Sequence, residues 1–273
     1  PIGKFEGVQE AMGRIGGFNY SVESMRRLTV EALCAGKSPS VITAMTKYHM
    51  TEMGRQIMED AMDIHAGKGI QLGPKNYLGH GYMATPISIT VEGANILTRN
   101  LMIFGQGATR CHPYVLQEMD AAANPDEEQG LQDFDGLLMK HLAFGLSNFF
   151  GSLAMGLTGS RFASSPVSGP TRPYYQHLTR LSRALALTAD VAMLTLGGDL
   201  KRKEMLSARL GDVLSHLYMA SAVLKRYEDD GRQRGDLAYV EYAVQRHLHL
   251  IAEAFRGFFN NFPNRVVAWT LRL

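Results

Sequence analysis

Glu92 is the residue of this chain best placed to do chemistry. It stands in Ile87-Ser88-Ile89-Thr90-Val91-Glu92-Gly93-Ala94-Asn95, one carboxylate followed at once by glycine. Four of the five residues at 87–91 are β-branched, which disfavours helix and predicts an extended run. Beyond it, Leu97, Leu101 and Phe104 fall at helical spacing and predict a helix over about Ala94–Phe104. Two readings of Glu92 stay open on this pattern. A carboxylate near a helix N-terminus is an ordinary cap. It is also a general base held above a substrate, with Gly93 letting another molecule approach the backbone.

A second segment, Asp63-Ile64-His65-Ala66-Gly67-Lys68-Gly69, ends a helical pattern on closely spaced glycines. A helix C-cap and turn accounts for it. A backbone lying against a nucleotide is the functional alternative, on a weak signal, since no strand precedes it as in a phosphate-binding fingerprint. The histidines fall into pairs at most. His49 with Glu52, Asp212 with His216, and His249 with Glu253 share helix faces without a third ligand nearby. His65, His80, His112, His141 and His177 belong to no ligand-spaced cluster, so no metal site is expected. Cys111-His112 lacks an oriented base and reads as a structural or surface pair. Cys34 and Cys111, far apart, fit no disulfide framework and suit a reducing compartment.

The elements that must position these residues are helices. At 273 residues, 45% apolar and 20% charged, the sequence describes a globular chain, and a nearly balanced formal charge of +2 gives no sign of bulk electrostatic binding to nucleic acid. No apolar run reaches the roughly 18 to 20 residues of a membrane span. Phe5–Leu33 repeats apolar residues every three or four positions. Residues 40–66 do the same, with Ser38 or Ser40 available as cap, and Gly67–Gly81 reads as loop. A glycine-rich hinge at Gly105–Pro113 and a small, acidic stretch at Ala121–Gln129 place a boundary between domains at 1–120 and 130–273. Helices are expected at about 131–157, 174–197, 200–230 and 236–260. Lys201, Arg202, Lys203 and Arg209 form a solvated face, or a contact for anionic lipid headgroups. The class is all-α, in two antiparallel helical bundles. The opening Pro1-Ile2-Gly3-Lys4, without an initiator Met, reads as a cut inside a longer protein.

Taken together, residues 2–104 resemble the C-terminal helical domain of the acyl-CoA dehydrogenase family. Pro1 to Gln9 is similar to the family's start of a long helix, just after its flavin-contacting Arg-x-x-Phe motif. Asp63 to Gly69 resembles its Gln-Ile-x-Gly-Gly-x-Gly segment, which touches FAD across a subunit interface. Val91-Glu92-Gly93-Ala94 resembles its Tyr-Glu-Gly-Thr, whose Glu is the catalytic base in most members. With Arg99-Asn100 and Cys111-His112-Pro113-Tyr114, the set is most similar to the bacterial fatty-acid-degradation subgroup, which carries an extra C-terminal helical region. The resemblance implies a four-helix bundle followed by an additional antiparallel helical domain.

It also implies an activity: FAD-dependent α,β-dehydrogenation of medium- or long-chain fatty acyl-CoA to the trans-2-enoyl-CoA in β-oxidation. Glu92 is then the base, Gly93 lies by the substrate thioester, Asp63, Ala66 and Gly67 lie near a partner subunit's FAD, and Ala94 and Asn95 lie near the flavin. Val91 and Ile89 would keep Glu92 dry. An electron-transfer flavoprotein as acceptor, a homodimer or larger assembly, and a cytoplasmic location with peripheral contact at the inner membrane follow from the same resemblance. Three departures stand out. Asp63 replaces an amide, Ala66 a glycine, and Ala94 a threonine. The competing reading is a non-catalytic helical assembly module of a larger protein, since the second half carries no recognisable chemistry.

Overall fold

The computed structural model describes residues 1–272. It is all-α, with no strand among the described residues. After a 3-10 turn at Ile2–Lys4 come α1 (Glu6–Cys34), α2 (Ser40–His65), α3 (Gly67–Ile70), α4 (Gly79–Thr90) and α5 (Asn95–Leu97). Then follow a π-helical stretch (Thr98–Gln106), α6 (Gly107–Cys111), α7 (Val115–Ala122), α8 (Glu127–Leu157) and α9 (Arg172–Leu196). The chain closes with α10 (Asp199–Arg202), α11 (Glu204–Asp229), α12 (Leu237–Asn261) and α13 (Arg265–Leu271). No helix among the described residues is long and apolar enough to cross a membrane.

The chain divides into two compact units, Pro1–Arg99 with Tyr218–His249, and Asn100–Leu217 with Leu250–Leu273. In the first, α1 and α2 pack together around Phe18, Met25, Met53 and Met219. The apolar stripe of α1 is buried only from Gly17 onward, and Phe5 and Met12 stay exposed. Gly16 and Gly17 permit the close crossing of α12: a Cβ on Gly17 would stand 2.2 Å from Tyr242 Cδ1. Arg226 covers the Tyr20 ring at 4.1 Å, and burial pushes the Tyr20 phenol up to about 12. Arg27 and Arg226 hold the Asp230 carboxyl below its ordinary range by hydrogen bonding. In the second unit, Ile103, Leu210, Ile251, Phe258 and Phe262 form the core. There α8 packs on α7 and α9, and Gln176 ties down the α8–α9 connection by donating to the Arg161 and Ala163 carbonyls.

Several expectations give way to this structure. Residues 87–90 are not extended: they finish α4, which contains Pro86 and packs on α2. Packing outweighs the β-branched propensity there. Gly67–Gly81 is not wholly loop, since α3 and the start of α4 lie in it. The glycines at 105 and 107 do not make a hinge, because helical winding runs unbroken from Asn95 to Cys111, in the wider π form over Thr98–Gln106. Neither Ser38 nor Ser40 caps α2, whose N-cap position is Pro39. The helix expected over 200–230 breaks at Lys203.

Arg14 Nε and an Nη donate to the two Asp60 carboxylate oxygens at 2.8 and 2.7 Å, and Asp60 is 3% exposed. Arg14→Met strands that carboxylate, so denaturant unfolding of the chain should show a loss of about 3 kcal/mol. Ala66, between α2 and α3, takes φ 48°, a left-handed value that costs any residue with a Cβ. Ala66→Gly should therefore raise unfolding stability by roughly 1 kcal/mol in the same assay.

Candidate active site

The loop joining α4 to α5 is held from inside by one amide. Asn95, 5% exposed, accepts from Lys47 Nζ at 2.7 Å through Oδ1 and donates from Nδ2 to Thr51 Oγ1 and Glu52 Oε1 at 2.9 and 2.7 Å. Those three partners occupy one stretch of α2, so the start of α5 is fixed to that helix. Lys47 Nζ also donates to the Gly93 carbonyl at 2.6 Å, and Arg55 donates to the other Glu52 oxygen at 3.3 Å. Lys47 and Arg55 flank the Glu52 carboxylate in a connected polar network around the buried amide.

Fixing Gly93 and Asn95 leaves the chain between them and Val91 little freedom. Glu92 takes φ 55° and Gly93 φ 91°, two consecutive left-handed residues. Glycine adopts this without cost, and glutamate does not. A Cβ at residue 93 would also come within 3.3 Å of Thr98 Oγ1. Glu92 is exposed, and its carboxylate has no hydrogen-bond or ion-pair partner among the described residues. The capping reading falls here: the N-cap position of α5 is Ala94, and no side chain caps it. The dry surroundings expected from Ile89 and Val91 are not supplied within this chain, since Val91 is itself 48% exposed.

The second set of candidates lies elsewhere. Asp63 is an exposed residue in the last turn of α2, and Ala66 and Gly67 follow it, both exposed. His65 in the same turn meets the Ala61 carbonyl at 2.8 Å and the Tyr77 hydroxyl, which orients the loop beyond α3. Along the axis of α2, Asp63 lies about 24 Å beyond Lys47. Gly93 and Asn95 dock between the N-terminal third and the middle of that helix, and Asp63, Ala66 and Gly67 lie at its C-terminal end. They do not share one site within this chain.

Two features escaped the sequence. Lys47 is an unremarkable lysine in a helical pattern, and only the fold aims it at residues 93 and 95. The other is a cluster of His112, His141 and Asp190, whose ligand-type atoms lie within 4.8 Å of one another. His112 and Asp190 are 78 residues apart in sequence, beyond the reach of any spacing rule.

Comparison with known proteins places this architecture. Residues 1–104 match the family described as acyl-CoA dehydrogenase, C-terminal domain, and residues 109–273 the one described as acyl-CoA dehydrogenase, C-terminal, bacterial type. Among solved structures, an acyl-CoA dehydrogenase complexed with FAD from Bacillus anthracis matches with a TM-score of 0.72 at 16% identity. The match covers 100% of this chain and 46% of that one. At such identity the likeness concerns the fold, and this chain spans about half the length of its counterpart. The chain belongs to the acyl-CoA dehydrogenase family, to the C-terminal part of its bacterial type.

Proposed function

We propose that this chain is the C-terminal part of an FAD-dependent acyl-CoA dehydrogenase acting on medium- or long-chain acyl-CoA in β-oxidation, with Glu92 as the base. One observation carries the reading. The chain holds an unpartnered carboxylate in a left-handed conformation by bolting the residues after it to α2. Strain of this kind persists only where the surroundings impose it, and a base must be held still above the hydrogen it removes. Glu92 takes the α-proton of the thioester onto a carboxylate oxygen, and Gly93 leaves room for the thioester beside it. Asn95 and Lys47 act as positioning residues, because their polar atoms are committed inward.

The backbone at Gly67 is open to the approach of a flavin nucleotide, since a Cβ there would meet nothing within 4 Å. An exposed carboxylate at residue 63 suits a ribityl or ribose hydroxyl and does not suit a phosphate. Bound flavin supplies acceptance of the β-hydrogen as hydride. The separation of this segment from Glu92 along α2 agrees with the segment serving a partner subunit's flavin. Homo-oligomerisation and an electron-transfer flavoprotein as acceptor belong to the same proposal, with residues 1–120 and 130–273 as its two helical domains. A purely structural role in assembly draws support from α8, where Leu138, Leu142, Leu146, Phe149 and Leu153 are each at least 38% exposed. That role and catalysis are compatible.

In the full-length protein, Glu92→Gln should retain FAD and lose flavin reduction by acyl-CoA by about 10²- to 10⁴-fold in stopped-flow absorbance. Unchanged reduction contradicts the assignment. Lys47→Met should slow the same reduction by about tenfold with FAD content intact, through loss of the loop's register.

A further inference from the structure

We propose that His112, His141 and Asp190 form a binding site for a divalent cation of the zinc type, with Glu118 as the group that orients His141. The residues come from three places in the second unit: His112 precedes α7, His141 lies in α8 and Asp190 in α9. His112 Nε2 lies 2.8 Å from Asp190 Oδ1, and His141 Nε2 lies 3.5 Å from the same oxygen. Zinc-type ligands sit about 2.0 to 2.2 Å from the metal, hence about 3.3 Å from one another in a tetrahedron. The present spacing needs only small side-chain adjustments to meet that geometry. A fourth position stays open to water.

Three observations beyond proximity point to a cation. First, His141 Nδ1 faces Glu118 Oε1 at 2.8 Å. A carboxylate on the far ring nitrogen is the arrangement that fixes the tautomer of a metal-ligating histidine and aims its other nitrogen. Here that other nitrogen is aimed at Asp190 and His112. Second, no lysine or arginine among the described residues faces the two carboxylates. Glu118, His141, Asp190 and His112 are 14%, 21%, 16% and 7% exposed at their side chains. Neither carboxylate has a Lys or Arg ion-pair partner among the described residues. The two carboxylates thus face imidazoles in a largely buried setting, where a divalent cation would satisfy them. Third, Asp190 Oδ2 is buried without a hydrogen-bond partner. A carboxylate left half satisfied beside two imidazoles has a vacant coordination direction.

The class of cation follows from the donors. Two imidazoles and one carboxylate select zinc-like transition ions over magnesium or calcium, which prefer all-oxygen cages. His112 raises the threshold further. Its Nδ1 accepts from the backbone N–H groups of Tyr114 and Val115 at 3.2 and 3.1 Å, so its ring proton sits on Nε2. Coordination through Nε2 moves that proton to Nδ1 and releases the two amides at the start of α7. Only a strong Lewis acid compensates for this. Tyr114 stacks on His141 and Phe144 meets the His112 ring edge-on, which screens the site from water.

The experiment is a titration of the chelator-treated full chain with Co²⁺, read by visible absorption, followed by displacement with Zn²⁺. We expect one Co²⁺ per chain with the intense bands of a four- or five-coordinate site, bleached by one equivalent of Zn²⁺. Asp190→Asn, nearly isosteric, should weaken binding at least tenfold, and Glu118→Gln by about 10- to 100-fold, both with native circular dichroism. Amide exchange at Tyr114 and Val115 should accelerate on Zn²⁺ binding, a readout that needs no variant. Absence of the cobalt bands, wild-type affinity in Asp190→Asn, or unchanged exchange at both amides with zinc bound overturns the proposal.

Discussion

A buried amide governs the half of this chain that carries Glu92. Asn95 is almost sealed from water, so each polar atom of its side chain has to find a partner within the protein. Lys47, Thr51 and Glu52 supply them, all from one stretch of α2. Satisfying Asn95 thereby sets where α5 begins, how far Gly93 lies from α2, and which backbone conformation remains for Glu92. The left-handed φ of Glu92 is a consequence of these bonds and not a local preference of glutamate. Rigid α2, braced along its length by α1 and α4, is the platform that makes this possible.

The same helix explains why the two groups of candidate residues are apart. Its length separates the docking point of the 93–95 loop from the exposed turn at Asp63, Ala66 and Gly67. The two groups of residues therefore lie on separate stretches of the surface, one beside the first half of α2 and one at its C-terminal end. Exposed Phe5 just before α1, Met12 on it and the apolar row on α8 are surfaces of the kind that a neighbouring protein surface covers.

The long helices were legible in the sequence because their apolar residues recur at helical period, and α1, α2, α8, α9 and α12 fall within a few residues of expectation. What could not be read lies where packing overrules local preference. In α4, Pro86 and the β-branched Ile87, Ile89 and Thr90 argue against helix, and Met83 and Ile87 are exposed, so no apolar stripe announces it. Short α7 and α13 are set by their surroundings and by caps such as Asn264, which accepts from the Val266 and Val267 amides. Glu92 was visible through the residues flanking it, whereas its support was not. Lys47 and Asn95 are 48 residues apart, and nothing in either neighbourhood names the other. The cluster of His112, His141 and Asp190 was hidden for the same reason: α8, α9 and the bend between α6 and α7 converge on it, and periodicity places helices without saying what they face.

The central claim is that Glu92 removes a proton from the carbon next to the thioester carbonyl. Proton removal can be watched apart from redox chemistry by using an acyl-CoA whose β-carbon cannot give up hydride. The measurement is hydrogen–deuterium exchange at its α-carbon in D₂O, followed by NMR with the full-length protein. The account predicts steady exchange with the wild-type protein and none above background with Glu92→Gln. Exchange at the wild-type rate in that variant would show that another group is the base.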